Sequence, residues 1–173
     1  METPAEDLPI VWSNERPAVS AYEPRFHVVL HEPEIAANAG NIGRTCVACR
    51  AKLWLVRPMG FQLDERRLRR AGLDYWPHLV WQVADDWNAL VRDLAGARFW
   101  FFSKSAATLY TDVEYRPGDA LVFGSESRGL PPSMRGEKDR CLRLPIDPPV
   151  RSLNLAAAVA VALYEARRQC DRP

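Results

Sequence analysis

Short apolar runs separated by polar loops recur along the chain from Phe26 onward. The runs are Phe26 to Leu30 (F-H-V-V-L), Lys52 to Val56 (K-L-W-L-V), Leu79 to Val83, Arg98 to Ser103 (R-F-W-F-F-S), Ala120 to Phe123 (A-L-V-F) and Cys141 to Leu144 (C-L-R-L). Each has the length of a strand, and all but the last carry aromatic or β-branched residues. Helical spacing fills the gaps. Ile42, Cys46 and Cys49 share one helix face, with Asn38 or Asn41 as the expected cap. Asp64 opens a short basic helix that Gly72 stops, Asp85 caps a helix running through Leu94, and a last helix covers Leu153 to Arg168. This alternation predicts an α/β fold, an open and mostly parallel sheet with helices on both faces.

Two segments depart from the pattern. Residues 1–24 carry Pro4, Pro9, Pro17 and Pro24 without sustained periodicity and read as an extended or disordered arm, leaving 25–173 as a single domain. The last helix is apolar nearly all round from Leu155 to Leu163. A helix apolar on every side needs cover on every side, which favours a homodimer.

The chemistry sits where strands end. After Phe123 the chain turns at once into G-S-E-S-R-G, with Gly124 and Gly129 bracketing Ser125, Glu126, Ser127 and Arg128. In parallel α/β sheets ligands lie beyond the carboxyl ends of strands, so this loop is a candidate site. Glu126 is placed to accept from an N–H or to pair with Arg128. The run from Cys141 leads through Pro145, Pro148 and Pro149 to Arg151, Ser152 and Asn154 at the mouth of the last helix, whose amino terminus suits an anion or a polar ligand edge. The two loops read as one pocket.

Composition narrows the partners. With 23 basic and 22 acidic residues the net charge is +1, so any nucleic-acid binding must come from local clustering. Arg66, Arg67, Arg69 and Arg70 form such a cluster beside Tyr75 and Trp76, whose aromatic faces suit unpaired bases. No apolar run approaches a membrane span and no secretion signal leads the chain, so a cytoplasmic protein is expected. Cys46 and Cys49 form C-x-x-C, but they share a face with Ile42 and read as core rather than as a redox pair. His27, His31 and His78 show no metal spacing, and no metal is expected. No G-x-G-x-x-G follows the first strand, so a nucleotide-like cofactor must bind elsewhere.

Taken together, N-A-G-N-I-G-R (Asn38 to Arg44), F-G-S-E-S-R-G-L (Phe123 to Leu130) and R-S-L-N-L (Arg151 to Leu155) resemble the three motifs of the SPOUT class of S-adenosylmethionine-dependent RNA ribose 2'-O-methyltransferases. R-P-M-G-F (Arg57 to Phe61) and R-L-R-R-A-G-L-D-Y (Arg67 to Tyr75) narrow the likeness to the branch acting on wobble nucleotide 34 of tRNA, cytidine or uridine, leucine isoacceptors included. The resemblance runs from about Phe26 to about Gln169. It implies a deep trefoil knot over about residues 99–170, and S-adenosyl-L-methionine held near Phe102, Gly124, Leu144 and Ser152. Arg44 is implied at the transferred methyl, with Asn41, Glu126, Ser152 and Asn154 around it. The anticodon stem-loop would lie on Arg66, Arg67, Arg69, Arg70, Arg128 and Tyr164. An arginine guanidinium keeps its proton in proteins, so a phosphate-binding, orienting role suits Arg44 better than that of a general base. The same methylation at another tRNA or rRNA position, and a non-catalytic RNA-binding relative, stay open as alternatives.

Overall fold

A computed structural model describes residues 22–62, 75–135 and 138–171. Among these residues seven strands form one sheet: β1 (Phe26–His31), β2 (Ala51–Val56), β3 (Trp81–Ala84), β4 (Phe99–Phe102), β5 (Thr108–Leu109), β6 (Ala120–Phe123) and β7 (Cys141–Arg143). Their order is β3-β2-β1-β6-β4-β7-β5, and every ladder is parallel. Among the described residues the α-helices are α1 (Ala36–Cys49), α2 (Trp87–Asp93) and α3 (Leu155–Cys170). The expected basic helix from Asp64, with Arg66, Arg67, Arg69 and Arg70, lies outside the described residues.

Strand pleating sorts the side chains onto two faces. Phe26, Val28, Leu30, Leu53, Leu55, Leu121, Phe123 and Leu142 meet Ile42, Cys46 and Cys49 of α1 and Val159, Ala162, Leu163 and Ala166 of α3. On the opposite face Val29, Trp54, Val56, Phe101 and Val122 pack with Leu90 of α2, Leu94 and Leu130. Helices thus cover both sides, and the interior strands are apolar on both. The thiols of Cys46 and Cys49 are free and buried in the first cluster. Burial raises the pKa of both, which opposes thiolate chemistry and fits the core reading.

Several element bounds differ from the sequence reading for identifiable reasons. Leu79 and Val80 belong to the turn after a short 3-10 segment, Trp76–His78, so the third strand starts later, at Trp81. Asp86, not Asp85, caps α2, accepting from the Ala89 amide at 2.7 Å. β5 is only two residues long, too short for a periodic signal, and exists because it pairs with β7 at the sheet edge. α1 starts at Ala36, before both asparagines proposed as its cap. α3 buries one stripe in the single chain, and Val161 and Tyr164 on its far side are exposed. No helix among the described residues is long and apolar enough to cross a membrane.

Candidate functional site

Because all strands run one way, the polar turns after β1, β4, β6 and β7 leave the same edge of the sheet. Pairing of Leu30 with Phe123, of Phe123 with Phe102, and of Phe102 with Leu142 sets four of those carboxyl ends side by side. The Phe102 and Phe123 rings stack with centroids 4.5 Å apart. The positions implied for a cofactor, Phe102, Gly124 and Leu144, therefore fall at the ends of the neighbouring strands β4, β6 and β7. Gly124 has a second reason to be glycine. A Cβ there would stand 2.0 Å from the Gly129 carbonyl carbon and 2.2 Å from the Leu130 amide nitrogen. The loop turns back on itself at Gly129, whose φ of 68° glycine adopts without strain.

Glu126 joins the turns. One carboxylate oxygen accepts from the Glu34 amide at 2.8 Å; the other accepts from the Ile35 amide at 3.3 Å and from Asn38 Nδ2 at 2.9 Å. The two amides that lead into α1 and the Asn38 side chain in its first turn are thus held from 88 to 92 residues away, and the helix itself has no side-chain cap. Asn38 then accepts at Oδ1 from Asn154 Nδ2 at 2.9 Å. Asn154 in turn caps α3, its Oδ1 receiving the Ala156 and Ala157 amides at 2.9 and 3.4 Å. One chain of hydrogen bonds runs from the turn after β6, through the first turn of α1, to the start of α3. The three sequence motifs meet here.

A second tie lies outside the first. Ser127 donates to Glu34 from its hydroxyl at 2.7 Å and from its amide at 3.0 Å, and these bonds hold the Glu34 carboxyl below the usual carboxylate range. Arg128 pairs with Glu32 at 3.1 Å and lies 3.8 Å from Glu34, not with Glu126 as one sequence reading had it.

The remaining site residues fall as follows. Asn41 and Arg44 occupy the exposed side of α1, three residues apart on one helix face. The Arg44 guanidinium carbon lies 4.7 Å from the centre of the Tyr75 ring. Leu144 is half-buried at the end of β7, and the loop from Asp147 to Asn154, Ser152 included, is exposed. Asn154, not Ser152, makes the cap. Tyr164 is 51% exposed but sits ten residues beyond Asn154, about 15 Å along the helix axis, so the fold does not bring it into the cluster. Tyr75 and Trp76 are 8% and 5% exposed, so their faces are turned into the protein and closed to bases. The arginines beside them lie outside the described residues.

Sequence reasoning missed Glu34 and Asn38. Asn38 stood within the first motif but read as a cap, and the E-P-E run before α1 carried a usable signal, acidic residues at a helix start. Two open recesses of about 500 Å³ lie elsewhere, one against the end of α3 and one by His27, Lys52 and Gln82. Neither touches the three turns; convergence of side chains, not depth, marks the site. Among the described residues, no group of three or more His, Cys, Asp or Glu could hold a metal ion.

Comparison with known proteins agrees with this geometry. The model of the SpoU rRNA Methylase family matches residues 25–164. A tRNA (cytidine(34)-2'-O)-methyltransferase from Methylovorus glucosotrophus is 43% identical over 148 residues, 84% of this chain and 96% of that protein. A structure described as giving insights into the 2-OH methylation of C/U34 on tRNA superimposes with a TM-score of 0.78 at 48% identity, covering 83% of this chain and 95% of that one. An rRNA methyltransferase from Sinorhizobium meliloti with AdoMet bound is 26% identical, with a TM-score of 0.75 over 88% of this chain and 59% of that one. Three motifs spread over more than a hundred residues, drawn by one sheet into a single bonded cluster, and a family match spanning the whole of that sheet place this chain in the SpoU rRNA Methylase family.

Proposed function

We propose that the protein transfers a methyl group from S-adenosyl-L-methionine to the ribose 2'-hydroxyl of the wobble nucleotide, C34 or U34, of tRNA, leucine isoacceptors among its substrates. The observation that carries this reading is Asn38, bonded at once to Glu126 and to Asn154, which locks the three motif turns together. S-adenosyl-L-methionine, when bound, supplies a methyl group activated on a sulfonium. The groups present fit it in kind: Phe102 and Leu144 offer apolar walls at two strand ends, and the exposed proline-stiffened loop from Asp147 to Asn154 offers backbone groups for adenine and the amino-acid tail. Ser152 lies in that loop.

Displacement at the methyl carbon requires donor and hydroxyl in line, so the chain's task is positioning. Arg44, on the solvent side of α1, binds the phosphate next to the target ribose and orients the sugar, while a phosphate oxygen or a water takes the hydroxyl proton. Asn41, one turn back on that face, supports the sugar. Glu126 and Asn154 set the turns, Arg128 exchanges its carboxylate partners for phosphate as RNA arrives, and Arg66, Arg67, Arg69 and Arg70 carry the anticodon stem-loop. Threading of the region from about residue 99 to 170 into a trefoil knot would bring the turns after β4, β6 and β7 against one another. Pairing of two chains would cover Val161 and Tyr164, the exposed stripe of α3.

Mass spectrometry of tRNA incubated with protein and cofactor tests the reading, and a methyl group on the ribose of residue 34 is expected. The same mark at another tRNA or rRNA position would keep the chemistry and move the substrate. Arg44→Lys should slow transfer roughly a hundredfold with cofactor affinity unchanged. Near-normal turnover would remove the orienting role.

A further inference from the structure

Resting on that functional reading, we propose that Tyr75 is a positioning residue for Arg44, fixing both its guanidinium and the helical turn that bears it. Three contacts converge on that turn. The Tyr75 ring lies under the guanidinium, 4.7 Å from centroid to carbon. The Tyr75 hydroxyl donates to the Gly40 carbonyl. In an α-helix that carbonyl also receives the amide of the residue four positions on, which is Arg44, so one oxygen anchors the backbone of the arginine and the ring that orients its side chain. Between them, Gly43 lets the segment after the basic stretch come flush against α1. A Cβ at Gly43 would stand 2.9 Å from Leu79 Cδ2, 3.2 Å from Trp76 Cζ3 and 3.5 Å from Tyr75 Cε2. Arg44 is thus a long, exposed side chain whose base is rigid and whose tip rests on a buried ring.

The physical consequence is preorganisation. A free arginine loses rotamer freedom when it takes a phosphate; a guanidinium already resting over a ring loses less. Tyr75 also directly follows the segment that holds Arg66, Arg67, Arg69 and Arg70. Substrate bound there would bear on the same tyrosine that sets the arginine at the reacting sugar.

Single-turnover methyl transfer to tRNA by Tyr75→Leu, Tyr75→Phe and Tyr75→Trp tests this, with S-adenosyl-L-methionine affinity measured by calorimetry for each. Tyr75→Leu is expected to slow transfer at least tenfold at unchanged cofactor affinity. Tyr75→Phe and Tyr75→Trp keep an aromatic face and lose only the bond to Gly40, so they should stay within about fivefold of the wild type, the span of one neutral hydrogen bond. A Tyr75→Phe loss as large as that of Tyr75→Leu would overturn the proposal, as would a Tyr75→Leu rate within twofold of the wild type. Should the wild type itself leave residue 34 unmethylated, the functional reading fails and the coupling is decided by unfolding equilibria of wild type, Arg44→Ala, Tyr75→Leu and the double variant. Non-additive effects would uphold the contact, and strictly additive ones would overturn it.

Discussion

Two carboxylates hold the two ends of this sheet, and they do so in opposite ways. At the amino ends of β4 and β6, Asp119 is only 2% exposed and accepts from Arg98 Nε and Nη2 at 2.8 and 2.7 Å, from Trp100 Nε1 at 2.8 Å and from the Arg116 amide at 2.9 Å. Its partners come from within 21 residues. At the carboxyl ends, half-buried Glu126 draws its donors from 88 to 92 residues away. The first carboxylate is fully spent on protein groups and is closed to solvent. The second aligns three turns while Asn41, Arg44, Arg151 and Ser152 beside them stay in solvent. A saturated, buried node braces a fold; a node of the same chemistry at an open rim orders groups that face solvent.

Removing each node should separate stability from activity. Asp119→Ala removes the buried acceptor shared by Arg98, Trp100 and the Arg116 amide and is expected to cost about 3 kcal/mol in chemical denaturation, the low end for such pairs because Arg98 is half-exposed and keeps its bond to the Glu114 carbonyl. Methyl transfer per folded molecule should be unchanged, and a loss of transfer without loss of stability would break the division.

Acid should weaken both ends of β1, through His27 near its start and His31 at its end, and through His27 more. His27 accepts from Trp54 Nε1 at 3.1 Å, and burial, reinforced by nearby Lys52, lowers its pKa from 6.5 to about 4. Its folded form prefers the neutral ring, so its contribution is complete above pH 6.5 and is lost as pH falls from 6.5 toward 4, by up to about 3 kcal/mol. Burial lowers the His31 pKa too, in the same sense. Urea midpoints between pH 7.5 and 4 should fall, and less so in His27→Gln; an equal fall in both would remove the role of His27.

Smaller effects sharpen the open rim. Glu126→Gln puts an amide donor against the Glu34 and Ile35 amides and should reduce methyl transfer about tenfold while shifting the unfolding midpoint less than Asp119→Ala does. If it unfolds the protein instead, the rim is structural first. Asn154→Ala removes the α3 cap and its bond to Asn38, with a stability cost of about 1 kcal/mol, measurable by thermal melting. A larger cost would mean that the network couples more strongly than its separate bonds.

Much of the fold was legible because burial on two faces leaves few alternatives. Ala120 to Phe123, continuously apolar, became the central strand β6 without a shift in bounds. Where the sequence misled, a distant group had replaced a local one. Asn38 looked like a cap since its side chain suits one, yet α1 starts two residues earlier without a side-chain cap, and Asn38 bridges Glu126 and Asn154 instead. Tyr75 and Trp76 looked like platforms for bases because arginines precede them, but they pack under Gly43, which a sequence cannot show.

The chain by itself determined its strands, its parallel α/β layering and the three polar motifs, since these follow from local period, apolar run length and residue chemistry. Only the tertiary structure decided which side chain serves which turn. A parallel sheet sends the turns after β1, β6 and β7 to one edge, and the neighbours they find there are dozens of residues away in sequence. Hydrogen-bond capacity can be read from a residue's name; the partner that fills it is set by the folding of everything between.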